Sequence, residues 1–221
     1  DEYSQMFIDY AGTCPHPVLD VGCAYGVATL PALAAGATVT ACDMEQGHLD
    51  LLVQRTPPGD LPRLKTQTGI LPDADFPADS SGGIHVPPSP HFLPAPDLEK
   101  SVANIAAWLK PGGKAFLITD TVYTGFWKAF APKYEQRKAE GHSWPGEIKD
   151  AHLLLPEPAR HRTKVRYMNL LDPDVLTRVC TAAGLVTERA SFVSPGKHEQ
   201  GKAYSDAANE RAAIVAVKPA A

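Results

Sequence analysis

The stretch Val18-Leu-Asp-Val-Gly-Cys-Ala-Tyr-Gly26, followed downstream by Thr38-Val-Thr-Ala-Cys-Asp43, decides the fold. The first four residues form a short apolar run that predicts a strand, and the small residues after it predict a turn that leads into a helix rich in Ala and Leu. The second run predicts another strand that ends on an acid. Together these segments form a β-α-β unit, which brings carboxylates to the ends of two strands.

The turn of this unit has the properties of a ligand-binding loop. Gly22 and Gly26 permit unusual backbone angles and a close approach of a ligand, and the helix behind them begins with unpaired N–H groups. Asp43 lies where a carboxylate can accept two hydrogen bonds from a ribose diol. A dinucleotide fingerprint would have glycine at the position of Ala24, where the pyrophosphate packs on the backbone. Asp20 would repel a diphosphate and suits a cationic ligand.

On these residues the sequence resembles the class I S-adenosylmethionine-dependent methyltransferases. Residues 18–26 look like the first motif of that family, and Asp43 followed by Met44 looks like its ribose-binding acid followed by the residue that lies on the adenine. The resemblance implies S-adenosylmethionine as cofactor and S-adenosylhomocysteine as product. The residues that it implies for cofactor binding are Asp20, Gly22, Cys23, Ala24, Gly26, Asp43, Met44 and Ile70.

A second, separate segment resembles the same family. The residues Trp108-Leu-Lys-Pro-Gly-Gly-Lys-Ala-Phe-Leu-Ile118 match the family's approach to its fifth strand. The implied fold is α/β, with a Rossmann-like, doubly wound, seven-stranded sheet that is mostly parallel and has an antiparallel last strand. Two positions depart from the family: Ile70 and Gly82 stand where acids are usual. Ile70 therefore supports only an apolar contact, and residues 82–86 predict only a weak strand.

Residues 121–165 do not belong to a minimal core of this kind. They concentrate aromatic side chains between Lys and Arg residues, and we interpret them as a helical lid over the pocket at the carboxyl ends of the strands. The alternative is a surface hairpin whose aromatic residues only pack on the body. With this insertion, residues 1–221 are predicted to form one domain.

Composition limits the function further. The chain has 221 residues, a net charge of −4 and 44% hydrophobic residues, so we expect neither a nucleic-acid partner nor an anionic membrane partner. No apolar run approaches the ~20 residues that span a bilayer. The four cysteines form no C-x-x-C pair and no cluster with zinc spacing. We therefore expect a cytoplasmic protein without a metal site, either a monomer or a homodimer.

The predicted function is transfer of a methyl group to a small molecule. If the acceptor needs a base, His91 after the fourth strand and Tyr123 after the fifth are the first candidates, followed by His85 and His142. The sequence leaves open whether the acceptor atom is O, N, S or a carboxylate. Two alternatives stay open: an NAD(P)-dependent oxidoreductase, and a non-catalytic regulatory module that binds S-adenosylmethionine. A protein or RNA substrate is a further possibility.

Overall fold

The predicted sheet is present and has seven strands in the order β3-β2-β1-β4-β5-β9-β8. The computed structural model describes residues 1–155, 157–160, 164–194 and 208–220. The strands are β1 Val18–Val21, β2 Val39–Asp43, β3 Leu64–Thr68, β4 Ser81–Val86, β5 Leu109–Asp120, β6 Glu147–Ile148, β7 Met168–Asn169, β8 Val186–Val193 and β9 Arg211–Val217. Strand β9 runs antiparallel to both of its neighbours, β5 and β8, whereas β1 to β5 pair in parallel. The prediction of a mostly parallel sheet with an antiparallel last strand is confirmed.

Helices pack against both faces of this sheet. The helices of the described residues are α1 Glu2–Thr13, α2 Thr29–Ala34, α3 Gln46–Arg55, α4 Ala95–Trp108, α5 Ala131–Ala139, α6 Glu157–Arg160 and α7 Pro173–Ala182, of which α5 and α6 belong to the segment between β5 and α7. Asp172 caps the start of α7, because its carboxylate accepts a hydrogen bond from the N–H of Val175 at 2.9 Å. No helix in the described ranges is long and apolar enough to cross a membrane.

Strand β4 is a central strand, although its glycines predicted a weak one. All six of its residues are buried between β1 and β5. A Cβ atom on Gly82 would lie 2.4 Å from Cys14 Sγ, and one on Gly83 would lie 2.9 Å from Tyr10 Cε1. Glycine therefore occupies both positions because the end of α1 and the chain after it press directly on the backbone of β4.

The parallel register places two polar side chains next to each other inside the sheet. Asp20 of β1 lies opposite His85 of β4. Helix α1 covers this point, and the ring of Phe7 stacks on that of His85 with a centroid distance of 4.9 Å. The register and the helix together therefore build a polar site that no local stretch of sequence describes.

The insertion between β5 and α7 has a small core of its own, in addition to its contacts with the body. Buried members of this cluster include Val122, Tyr134, Ile148 and Met168. Strands β6 and β7 form a separate two-stranded sheet within it. Asn169 Nδ2 lies 3.5 Å from the carbonyl oxygen of Leu93, which joins the insertion to the segment after β4. A role for residues 121–165 as a lid stays a prediction.

Candidate functional site

The turn after β1 is bent by three residues in the left-handed region. The φ angles are +88° at Gly22, +46° at Ala24 and +89° at Gly26. The N–H groups of Gly22 and Cys23 both donate to the carbonyl oxygen of Cys42, at 2.7 and 3.0 Å. These bonds hold the turn against the end of β2, so that the two strand ends share one edge.

Asp43 is the anchor of this edge. Its Oδ2 accepts a hydrogen bond from the N–H of Ala24 at 2.8 Å, and its Oδ1 accepts one from the N–H of Glu45 at 3.0 Å. His48 Nδ1 lies 3.0 Å from the same Oδ1. The carboxylate is 6% exposed and already oriented by two backbone donors, which leaves part of its acceptor capacity for a ligand.

A first cavity of about 440 Å³ opens beside Asp43. Its walls carry large apolar side chains that are unusually exposed for their type: Met44 at 59%, Ile70 at 49% and Phe92 at 50%. Gly22 forms part of the floor. An apolar slot with one oriented carboxylate at its side can hold a flat ring that carries a diol.

A second cavity, of about 300 Å³, lies on the other side of the turn and shares Gly22 with the first. Its lining is more polar and includes Asp20, His85, Ser4 and Arg211. Asp20 Oδ1 lies 2.8 Å from His85 Nδ1, and Asp20 Oδ2 accepts a hydrogen bond from the hydroxyl of Thr29 at 2.7 Å. Both carboxylate oxygens of a nearly inaccessible acid are thus paired, as burial requires.

The two cavities gather most of the residues predicted to bind a cofactor. Gly22, Asp43, Met44 and Ile70 line the first cavity. Asp20, Gly22, Cys23 and Ala24 line the second. Gly26 lines neither; a Cβ atom there would lie 2.4 Å from Leu52 Cδ1, so this glycine shapes the turn by packing on α3.

His91 lies behind the first cavity and lines neither of the two. The ring is buried, and its Nδ1 accepts a hydrogen bond from the N–H of Asp120 at 3.0 Å. Burial lowers the pKa of His91 to about 4, partly opposed by the carboxylate of Asp120. The lone pair that a base would use is therefore engaged, and these contacts suit a residue that holds the segment after β4 against β5.

Tyr123 lies in the insertion and also lines neither cavity. Its hydroxyl donates a hydrogen bond to Glu135. Burial and that hydrogen bond raise the pKa of Tyr123 to about 12, so its phenol stays protonated at neutral pH. His142 is exposed and lies 3.3 Å from Glu140. The catalytic roles proposed for these residues stay predictions.

Several lining residues were not singled out from the sequence. Ser4 and Arg211 come from opposite ends of the chain and meet at the second cavity. Pro87 and Pro88, which look like a chance pair in the sequence, line the same cavity. His85, which lines the same cavity, was among the base candidates named from the sequence.

Comparison with known proteins agrees with this geometry. A family model described as "Methyltransferase domain" matches residues 18–113. This range includes all the residues that line the first cavity and part of those that line the second. The cypemycin N-terminal methyltransferase of a Streptomyces species is 35% identical over 103 residues; the match covers 45% of this chain and 40% of that relative. The chain thus spans less than half the length of this curated relative.

Solved structures share the whole fold. A methyltransferase from Methanosarcina mazei, described as S-adenosylmethionine-dependent, superposes with a TM-score of 0.70 at 16% identity and covers 97% of each chain. The 1,6-didemethyltoxoflavin-N1-methyltransferase of Burkholderia thailandensis, solved with S-adenosylhomocysteine, has a TM-score of 0.63 at 18% identity, covering 99% of this chain and 77% of that one. At these identities the likeness establishes the fold. The chain thus shares its fold with S-adenosylmethionine-dependent methyltransferases, and its residues 18–113 match a methyltransferase domain.

Proposed function

We propose that this chain is a class I S-adenosylmethionine-dependent methyltransferase, an enzyme that methylates a small-molecule acceptor. One observation carries the proposal: Asp43, held by the N–H groups of Ala24 and Glu45, faces an apolar cavity that joins a second, polar cavity at Gly22. The first cavity suits a nucleoside and the second suits the reacting end of the donor together with an acceptor.

The residues present fit the donor molecule. Asp43 would accept hydrogen bonds from the ribose hydroxyls, while Met44 and Ile70 would lie against the adenine. Gly22 leaves open the space where the cavities meet, which a Cβ atom would partly fill at 3.4 Å from Pro87 Cγ. Bound there, the donor supplies a methyl group on a positively charged sulfur.

The charges of the site suit such a cation. Asp43 and Glu45 line the first cavity, and Asp1 and Asp20 line the second, against Arg211 as the cationic side chain. A diphosphate at the same turn would face this excess of carboxylates. This balance supports a sulfonium donor over a nicotinamide dinucleotide.

Calorimetric titration of S-adenosylmethionine, and separately of NAD, into the wild-type chain tests the proposal. We expect micromolar binding of the first and none of the second. Asp43→Asn should weaken donor binding at least tenfold, since a hydrogen bond to a charged group contributes about 1.5 to 3 kcal/mol. Asp50→Asn, which changes an exposed acid on α3, is the matched control and should bind as the wild type does. A folded wild type that binds NAD and not S-adenosylmethionine would contradict the proposal and support an oxidoreductase instead.

Turnover separates an enzyme from a binding module. When the enzyme receives S-adenosylmethionine with a tritiated methyl group and a panel of small amines, thiols and phenols, we expect tritium to appear in a methylated product. Tight donor binding with no methylation of any acceptor would support the regulatory alternative.

A second acceptor class is favoured by a specific observation. The curated relative that matches 103 residues of this chain is named an N-terminal methyltransferase of cypemycin. A peptide with a free α-amine is therefore the first macromolecular acceptor to test, using short synthetic peptides with free and acetylated N-termini. Methylation of only the free peptides would replace the small-molecule assignment.

The insertion and the cellular setting complete the proposal. We infer that residues 121–165 select the acceptor, because this segment begins directly after β5 and its Trp144 packs against the same core cluster as Leu93, which lines the first cavity. We also infer action in the cytoplasm, since all four cysteines are free. Acceptor profiles of Tyr123→Phe and Trp127→Ala against the wild type test the first point: altered preference at unchanged donor affinity supports it.

A further inference from the structure

We propose that Ser4, His85 and Asp20 form a proton relay in the second cavity, which removes a proton from the methyl acceptor. The inference rests on the proposed function and narrows it: the acceptor would be a protic group, such as an amine, thiol or hydroxyl. A carboxylate or a tertiary amine would have no use for such a relay.

Geometry carries the proposal. Ser4 Oγ lies 3.2 Å from His85 Nε2, and His85 Nδ1 lies 2.8 Å from Asp20 Oδ1. The three side chains thus form one continuous chain of hydrogen bonds from the cavity into the sheet. The order hydroxyl, imidazole, carboxylate is the one that activates a hydroxyl in hydrolytic triads.

The surroundings determine which way the hydrogens point. An ionised Asp20 can only accept hydrogen bonds, so His85 Nδ1 carries the proton that it receives. The Nε2 atom of a neutral ring is then an acceptor, and the hydroxyl of Ser4 donates to it. The other oxygen of Asp20 is occupied by Thr29, so the carboxylate cannot turn away from the imidazole.

The relay is rigid at its buried end and open at its cavity end. Asp20 and His85 are 1% and 2% exposed, and Phe7 stacks on the imidazole. Ser4 is only partly buried, and its N–H donates to Asp1 Oδ1 at 2.9 Å, which holds the first turn of α1 in place. An acceptor in the cavity can therefore reach the hydroxyl of Ser4 while the imidazole stays shielded from water.

Other ionisable groups at the cavity do not take over this role. Asp1 and Arg211 pair with each other at 3.2 Å, and Arg211 also lies 3.4 Å from Asp120. Burial raises the pKa of the Cys23 thiol, so the thiol stays protonated at neutral pH. His85 is thus the group whose ring lone pair is linked to an acceptor through a single hydroxyl, that of Ser4.

The proton balance is complete. The acceptor passes its proton to Ser4 Oγ while the hydroxyl proton of Ser4 moves to His85 Nε2. The electron pair left on the acceptor atom forms the bond to the methyl carbon while the bond between that carbon and the donor's sulfur breaks, and the electrons of the broken bond stay on the sulfur. The resulting imidazolium is stabilised by the Asp20 carboxylate until the proton leaves to solvent, and no oxidant or reductant is needed.

The first test requires no activity. In the full chain labelled with ¹⁵N-histidine, long-range ¹H–¹⁵N spectra should show His85 protonated at Nδ1 and unprotonated at Nε2. Ser4→Ala should shift the Nε2 resonance, because it removes the hydroxyl donor, whereas Ser80→Ala, away from the cavity, should not. A neutral His85 protonated at Nε2, or no response to Ser4→Ala, overturns the relay.

The second test uses three methyl acceptors of similar size, each with one phenyl ring: benzylamine, benzyl mercaptan and benzoate. Ser4→Ala and His85→Asn should lower kcat for methylation of the amine and the thiol by about 100-fold, the lower end of a general-base contribution, and change that of benzoate less than threefold. The same loss with all three probes, or no loss with any, overturns the relay, and so does a donor-binding wild type that methylates no protic probe. Absence of donor binding by calorimetry would refute the proposed function instead, while the spectra still report on the relay.

Discussion

The two cavities that meet at Gly22 are built in opposite ways. The first combines exposed apolar side chains with one acid whose orientation comes from neighbouring backbone N–H groups. The second is lined by polar side chains that bond to one another, with Asp20 paired to both His85 and Thr29. The first is a preformed apolar cavity whose shape suits a flat ligand. The second already has a connected hydrogen-bond network among its own side chains.

The origin of the lining residues explains this difference. The first cavity is lined by the end of β1 and by the segments that follow β1, β2, β3 and β4, all between residues 21 and 93. The second draws on Ser4 at one end of the chain and Arg211 near the other. Segments close in sequence can give a cavity its shape and can orient an acid through backbone N–H groups. A buried relay needs side chains from distant elements, because each polar side chain must be the hydrogen-bond partner of the next. Changes in the second cavity should therefore affect stability more than changes in the first.

The largest expected effect is the loss of the acid in the second cavity. Asp20→Ala leaves the buried side chains of Thr29 and His85 without a hydrogen-bond partner. At about 1 to 3 kcal/mol for each unsatisfied group, we expect the free energy of unfolding to fall by about 4 kcal/mol. Urea unfolding followed by circular dichroism measures this. Asp50→Ala, on the exposed side of α3, should change stability by less than about 0.5 kcal/mol. If the two variants unfolded alike, the second cavity would not be a stability centre.

The next effect concerns His91, which supports the wall of the first cavity from behind. Its pKa in the folded chain, about 4, lies below the ordinary 6.5, so the unfolded chain binds a proton more readily. Stability is therefore full above pH 6.5 and falls as the pH drops from 6.5 to 4, by about 3 kcal/mol from this group.

His91→Asn keeps an acceptor for the N–H of Asp120 and removes the titration. The difference in unfolding free energy between pH 7.5 and pH 4.5 should be smaller in this variant than in the wild type. His142→Asn, at an exposed histidine, serves as control and should leave that difference as it is. An unchanged difference in His91→Asn would contradict a buried, neutral imidazole.

A third effect tests the turn that both cavities share. Gly26→Ala places a Cβ 2.4 Å from Leu52 Cδ1 at φ +89°, so strain and overpacking should together cost about 2 to 3 kcal/mol of stability. Gly36→Ala has a similar φ of +99° but open space around it, and should cost only about 1 kcal/mol. Thermal unfolding of the two variants compares them; equal losses would mean that contact with α3 does not shape the turn.

The smallest effect should appear in the first cavity. Met44→Ala removes a side chain that is 59% exposed, so stability should stay within about 0.5 kcal/mol. Calorimetry should show donor affinity weakened three- to tenfold, since about 1 kcal/mol of apolar contact with the adenine is lost. Val53→Ala, which changes an exposed apolar residue on α3, should leave both quantities unchanged. A loss of stability in Met44→Ala would mean that this side chain supports the fold, and would contradict a first cavity whose apolar walls serve ligand binding alone.

Features that depend on neighbouring residues could be predicted from the sequence, whereas those that depend on distant elements could not. The strand, turn and acid of residues 18–43 could be identified because each signal is local: an apolar run, glycines at fixed spacing, and a carboxylate at a strand end. Strand β4 was underestimated because the reason for its glycines is the approach of Cys14 and Tyr10, which lie far away in sequence. His91 and Tyr123 were chosen for their positions after strands, yet position along the chain does not tell whether a side chain faces the cavity or the protein interior.

By itself, the sequence determined the β-α-β unit and the acid at the end of its second strand, because periodicity, glycine and strand ends act over a few residues. The mostly parallel sheet with its antiparallel last strand was predicted from the resemblance to a known family. Only the tertiary structure decided that Asp20 pairs with His85 across a strand register and that Ser4 meets the imidazole from α1. Contacts of that kind depend on how elements pack, and a shift of one residue in register would turn His85 to the other face of the sheet.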